Sequence, residues 1–153
     1  MLEWMIMPLK RYAEFSGRSR RKEYWSFVLL NVIIYFVLAA IMIAGGFSMA
    51  QLAAPGAGAT PPSFGPVFYI GAGLLGLWAL AIFIPNIAVM IRRLHDRDLS
   101  GWWLLGYIVA SLIPFVNFIA AIAMLVVLLL PGTVGPNRFG NDPKDPSSAE
   151  VFA

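Results

Sequence analysis

The stretch Trp25-Ser26-Phe27-Val28-Leu29-Leu30-Asn31-Val32-Ile33-Ile34-Tyr35-Phe36-Val37-Leu38-Ala39-Ala40-Ile41-Met42-Ile43 decides the fold. Its 19 residues carry no charge, close to the roughly 20 apolar residues that take a helix across about 30 Å of hydrocarbon. The rest of the chain agrees. Of 153 residues, 59% are hydrophobic and 12% are charged, against about 25% charged in an ordinary soluble domain; the mean hydropathy is +0.76. A soluble fold of this size needs more polar surface than that, and a disordered chain would be less apolar. The expected class is an all-α integral membrane protein, a small transmembrane helix bundle forming one domain over 1–153.

The basic start and Ser48-Met49-Ala50 imitate a signal peptide with its cleavage site. A secretory apolar core is about 7–15 residues, however, and this one has anchor length. It is read as a retained span.

Charge is confined to three places. Residues 1–23 hold Lys10, Arg11, Arg18, Arg20, Arg21 and Lys22 against Glu3, Glu14 and Glu23. Residues 24–91 have no charge; then Arg92, Arg93 and Arg97 stand beside Asp96 and Asp98. Residues 99–137 are again uncharged, and the tail carries Arg138 and Lys144 against Asp142, Asp145 and Glu150. Basic groups that flank apolar runs point to anionic lipid headgroups rather than nucleic acid.

These boundaries divide the domain into a basic cytoplasmic arm (1–23), a first span (24–44), a periplasmic Gly/Ala/Pro loop (45–65), a second span (66–91), a cytoplasmic loop (92–101), a third apolar region (102–130) and a polar tail (131–153). The arm is read as a short interfacial segment broken at Pro8. Pro85 is expected to kink the second span, with Asn86 bonded to the backbone that the proline frees. Ala40/Ala44 and Ala72/Gly76 offer small residues four apart for close helix contact. At 1.5 Å per residue the 29 residues Trp102–Leu130 would make a helix of about 43 Å, and Pro114 splits them. They form either one long tilted span or a helical hairpin, partly re-entrant; the hairpin is favoured. Basic residues concentrate in the arm and in the 92–98 loop, so the positive-inside rule places both in the cytoplasm. The hairpin returns the C-terminus to the same side.

Motifs with chemistry are few. Gly71-Ala72-Gly73-Leu74-Leu75-Gly76 matches G-x-G-x-x-G, but it lies inside an apolar run with no preceding strand and no acid about 20 residues on. Helix packing is the better reading. The chain has no cysteine and one histidine, His95, which leaves no metal-ligand set and no thiol chemistry. No catalytic residue, cofactor or metal is assigned. Arg18 to Lys22 open a helix, where cations oppose the macrodipole; lipid attraction or a specific anion must favour them.

Three polar stretches together say more. They are Phe15-Ser16-Gly17-Arg18-Ser19-Arg20-Arg21-Lys22-Glu23-Tyr24-Trp25, then Arg92-Arg93-Leu94-His95-Asp96-Arg97-Asp98-Leu99-Ser100-Gly101-Trp102-Trp103, then Pro131-Gly132-Thr133-Val134-Gly135-Pro136-Asn137-Arg138-Phe139-Gly140-Asn141-Asp142-Pro143. The ordered set resembles the domain of unknown function 805 family, small YhaH-like bacterial inner-membrane proteins. It departs locally at Asp98-Leu99, where Gly or Lys is common, and at Val134, where Pro is common. The resemblance implies an inner-membrane location and a multi-helix fold. It implies no activity.

With the C-terminus in the cytoplasm, the three stretches meet on one face. The candidate polar site is then Arg18, Arg21, Arg92, Arg93 and Arg138 around an anionic group, positioned by Glu23, Asp96 and Asn137, with His95 beside them. A membrane adaptor or structural subunit with a basic cytoplasmic face is the leading function. Binding or transport of an anionic lipid or small anion through the Arg cluster is the alternative, and a membrane enzyme using His95 and Asp96 is the weakest. Expected partners are anionic lipids and either a protein partner or further copies of this chain; nucleic acid is not among them.

Overall fold

The computed structural model describes residues 1–46 and 64–145. It is all-helical, apart from one isolated bridge between Asn137 and Gly140. The helices are α1 (Leu2–Lys10), α2 (Arg21–Ala44), α3 (Pro66–His95), α4 (Trp102–Ser111) and α5 (Val116–Leu129). Most of the Gly/Ala/Pro loop, including Ser48-Met49-Ala50, and the end of the tail lie outside the described residues.

The helices α2 and α3 have 24 and 30 residues, about 36 and 45 Å at 1.5 Å each, enough to cross the hydrocarbon. Their outward side chains are apolar and open, Phe36 and Leu80 being 77% and 73% exposed. In water such faces would be liabilities; in lipid they are ordinary. Three expectations shift. The helix α1 continues through Pro8, because a proline at the seventh of nine positions forfeits only one hydrogen bond near the helix end while its ring is fully buried. Residues 92–95 belong to α3 rather than to a loop, their cations meeting the negative end of the helix dipole. Asn86, beside the buried Pro85 within α3 and expected to bond the freed backbone, is half-buried and makes no side-chain hydrogen bond among the described residues.

The third apolar region is a hairpin: α4 and α5 lie against each other and turn at residues 112–115. Pro114 supplies no N–H, and Phe115, at φ 66° and ψ −44°, is the centre of a γ-turn closed by the Val116 N–H on the Pro114 carbonyl at 2.8 Å, a conformation uncommon for a bulky side chain. That reversal of the chain is what one continuous helix would lack.

The chain divides into two units. One is Leu29–Ile82. Within it the Trp78 indole donates to Asn31 Oδ1 at 3.2 Å, an interhelical bond between polar groups that hydrocarbon would otherwise leave unsatisfied. Close approach occurs at Gly71, where a Cβ would lie 2.8 Å from Met42 Cγ, and at Gly45, where it would overlap the Phe68 backbone. Gly73 and Gly76 face open space, so the expected Ala72/Gly76 contact is replaced by one turning on Gly71. The other unit comprises Met1–Val28 and the chain from Phe83 onward. Its interior holds Phe27, Ala88, Val89, Leu94, Leu104 and Leu128, together with buried charge.

This packing predicts opposite outcomes for two glycines two residues apart and therefore on opposite sides of α3. Gly71→Val should lower the thermal midpoint of the purified protein in detergent by several degrees. Gly73→Ala should leave it unchanged or raise it slightly, since Gly in a helix costs about 0.5–1 kcal/mol relative to Ala.

Candidate functional site

Arg92 and Arg93 are adjacent on the last turn of α3, so their side chains leave the helix about 100° apart and enter two different networks. Both are fully buried, at 0% exposure. A buried guanidinium must find acceptors for its donors or cost several kcal/mol. Each does.

Arg92 reaches the N-terminal arm. Its Nη2 donates to Glu23 Oε1 at 2.9 Å, and its Nη1 donates to the carbonyls of Glu14 at 2.7 Å and Arg11 at 3.3 Å. Arg11 in turn grips Glu14 with two bonds of 2.6 Å and lies 4.0 Å from Glu23. The hydrogen bonds from Arg11 hold the Glu14 carboxyl below the usual carboxylate range and raise the Arg11 guanidinium in return. Two arginines and two glutamates make this network neutral.

Arg93 works with Asp96, three residues on and therefore on the same helical face. Its Nη1 donates to Asp96 Oδ2 at 2.5 Å, while Arg18 Nε donates to Asp96 Oδ1 at 3.0 Å. One buried carboxylate thus joins two buried arginines from segments 78 residues apart. Their other donors go to the chain after α5. Arg93 bonds the carbonyls of Leu128, at 3.2 Å, and Leu130; Arg18 bonds those of Thr133 at 2.6 Å and Gly135 at 2.7 Å. Arg21 adds a bond to the Leu129 carbonyl at 3.2 Å, and Arg97 one to that of Pro131 at 2.5 Å. Six carbonyls between residues 128 and 135 therefore receive four arginines. The first of them close α5, where four carbonyls lack helical partners and the dipole is negative.

The backbone completes the joint. Thr133 N–H donates to the Asp96 carbonyl at 2.8 Å, and Ser19 N–H to that of Arg92 at 3.1 Å. A Cβ on Gly132 would overlap the Asp96 carboxylate, so glycine is required there. Asn137 Nδ2 donates to the His95 carbonyl at 2.9 Å and to Thr133 Oγ1 at 3.1 Å. The His95 ring stacks on Phe139, centroids 3.9 Å apart and nearly parallel. Its Nδ1 faces the Gly17 carbonyl at 3.1 Å; a carbonyl only accepts, so Nδ1 carries the proton. His95 lies beyond the apolar run that ends at Ile91. Burial lowers its pKa from 6.5, with the Gly17 bond opposing and the Arg138 charge assisting. Below the tail, Asp142 is held low chiefly by the Lys144 N–H.

Of the residues expected from sequence, Arg18, Glu23, Arg92, Arg93 and Asp96 come together and are buried. Arg21 sits exposed at their edge, and His95 and Asn137 brace the adjoining tail. Arg138 stands apart, pairing with Asp98 at 3.1 Å in the open. Arg11, Glu14, Arg97, Gly132 and Thr133 take part without having been singled out. Only the three-residue spacing of Arg11 and Glu14 hinted at it; the others are joined through backbone atoms, which leave no mark on residue type.

A family model described as protein of unknown function DUF805 matches residues 12–141. The inner membrane protein YhaI of Escherichia coli K12 is 38% identical over 143 residues, covering 94% of this chain and 97% of that protein. The inner membrane protein YhaH of the same strain is 38% identical over 144 residues, covering 94% and 98%. No solved structure matches.

Two outcomes follow from the geometry. Asp96→Asn strands two buried guanidiniums and should destabilise the protein by about 3–5 kcal/mol, whereas Arg138→Gln removes an exposed pair worth about 0–1 kcal/mol; thermal unfolding in detergent reads both. The single histidine sets the second. Its folded pKa is below its unfolded one, so the unfolded state binds more protons, and stability is full above pH 6.5 and declines as pH falls below that value. Thermal midpoints measured from pH 7.5 to 5.5 should drop for the native protein and less steeply for His95→Gln.

Proposed function

Because this chain belongs to the DUF805 family of inner-membrane proteins, we propose that it is a membrane adaptor or structural subunit that presents a rigid, basic cytoplasmic face. The observation that carries this is how the buried guanidiniums spend their donors. Arg18, Arg92 and Arg93 bond this chain's own carboxylates and carbonyls, so the cluster serves as a fastener between the arm, the end of α3 and the tail. Outside it Lys10, Arg21, Lys22, Arg138 and Lys144 are exposed, a surface suited to acidic partners or headgroups.

Both ends of the described chain lie on the cytoplasmic side in this reading. Its support is the basic arm together with the bonds that tie Arg18 and Arg21 to residues 129–135. The hairpin then enters from the cytoplasm and turns inside the bilayer. Its arms of 10 and 14 residues are about 15 and 21 Å long, short of the hydrocarbon thickness. Its tip suits such a depth. Leu112, Ile113 and Asn117 N–H groups bond to Val109, Ala110 and Ile113, Val116 N–H bonds to Pro114, and Pro114 has no donor to satisfy.

A second reading, an anionic lipid or small anion held on this face, is favoured by Arg21 and Arg97. Among the described residues both bond to carbonyls and neither pairs with a carboxylate. An enzyme has less support, since Asp96 is engaged by two arginines and is not free to move a proton.

The absence of cysteine makes the topology directly testable. Val134→Cys, at a position 97% exposed, should react with an impermeant maleimide in inverted membrane vesicles and not in intact spheroplasts. Phe115→Cys should react in neither. Labelling of Val134→Cys in spheroplasts would overturn the orientation. Cross-linking in native membranes should give a stoichiometric complex that Lys22→Glu with Arg138→Glu abolishes; an uncomplexed monomer, indifferent to charge reversal, would overturn the adaptor reading.

A further inference from the structure

The inner faces of the hairpin carry small residues where they should meet. Gly106 and Ala110 are four apart on α4, and Ala120 and Ala123 three apart on α5. In lipid such stripes let helix backbones approach closely. Here they do not. The two faces enclose a groove of about 330 Å³, and a Cβ placed on Gly106 would meet nothing within 4 Å. Trp103 and Val127 border its base, where the buried Leu94 and the half-buried Leu99 close it.

The lining is almost wholly apolar, so water gains too few hydrogen bonds to fill it, and left empty its walls forfeit dispersion contacts. A second helix, about 10–12 Å across, is too wide. The groove runs along eight residues of each helix, about 10 Å, which fits an extended hydrocarbon chain. Its base is where the unpaired charge stands. Arg97 sits in the turn between Leu94 and Leu99, bonded to Pro131, and the exposed Arg21 is bonded to Leu129, two residues past Val127. Each guanidinium keeps donors that no carboxylate among the described residues takes up.

We propose that this groove binds one acyl chain of an anionic phospholipid whose phosphate rests on Arg97 and Arg21. The inference deepens the second reading above and rests on the hairpin lying in the bilayer. It gives the small-residue stripes a use that helix packing does not. Apolar fill occupies the space that the small residues leave open, and the headgroup brings an anion to Arg97 and Arg21.

Native mass spectrometry of the full chain, reconstituted with equal phosphatidylglycerol and phosphatidylcholine and released in mild detergent, tests it. The expected spectrum has one retained phosphatidylglycerol per chain, favoured at least five-fold over phosphatidylcholine. Gly106→Phe and, separately, Ala123→Leu should each cut retention of either lipid at least five-fold, while Leu125→Phe on the outer face retains it. Arg21→Gln with Arg97→Gln should keep one lipid but lose the preference. If both filled variants retain lipid like the native chain, the groove is not the site, whatever the arginines do. If the arginine variant keeps the preference, the headgroup assignment falls and with it the second reading of the polar face. A lipid-free dimer that Gly106→Phe dissociates would replace the acyl chain by a second copy of this chain and overturn the proposal.

Discussion

Asp96 is shared between Arg93, on its own helix, and Arg18, from the arm, and the other contacts of this face are arranged around it. A chain with eight acidic residues has few ways to bury arginines, and it buries three. Removing an ion from water costs several kcal/mol unless partners are held in good geometry. Asp96 meets that condition only because Gly132 leaves room for its carboxylate and Thr133 bonds its carbonyl. The cost of misplacing any one group is what makes the arrangement specific. Such a joint contributes less net stability than an apolar core would, but it tolerates fewer alternatives.

The same arginines settle where α5 ends. A helix terminus in a low-dielectric region presents carbonyls that must be satisfied, and Arg93 and Arg21 reach the last of them while Arg97 and Arg18 continue along residues 131–135. Through these bonds the end of the hairpin is tied to the beginning of α2 and the end of α3. A hairpin too short to cross the membrane is thereby held at both its ends. At its tip the Leu112, Ile113, Val116 and Asn117 N–H groups bond within the turn and Pro114 has no donor to satisfy.

Small residues along the packed arms of the hairpin leave it a groove. The contrast with the unit Leu29–Ile82 is informative, since there Gly71 and Gly45 bring helices into close contact. Small residues thus serve two ends in one chain. At Gly71 the space of the missing side chain is filled by Met42; at Gly106 no atom of the described residues comes within 4 Å of it. Residue type alone does not separate these cases, because what differs is the position of the neighbouring helix.

The membrane class, the two long spans, the split at Pro114 and the grouping of charge into three stretches were legible in the residues, because hydrocarbon length and charge exclusion act on composition and need no knowledge of contacts. Arg18, Glu23, Arg92, Arg93 and Asp96 were legible as a set because charge in so apolar a chain has few places to go. The passage of α1 through Pro8, the extension of α3 to His95 and the idle Asn86 were not, since packing and dipole terms outweighed local preference. Nor was it legible that the arginines would be consumed by carbonyls of residues 128–135, or that Arg138 would stand aside with Asp98. Every residue has a carbonyl, so a sequence does not mark which ones lose their helical partners and face a guanidinium. The residues by themselves determined that this is a membrane protein with charge gathered into three polar stretches. Only the tertiary structure decided which charges are buried against each other, because that depends on distances of a few ångströms between segments far apart in the chain.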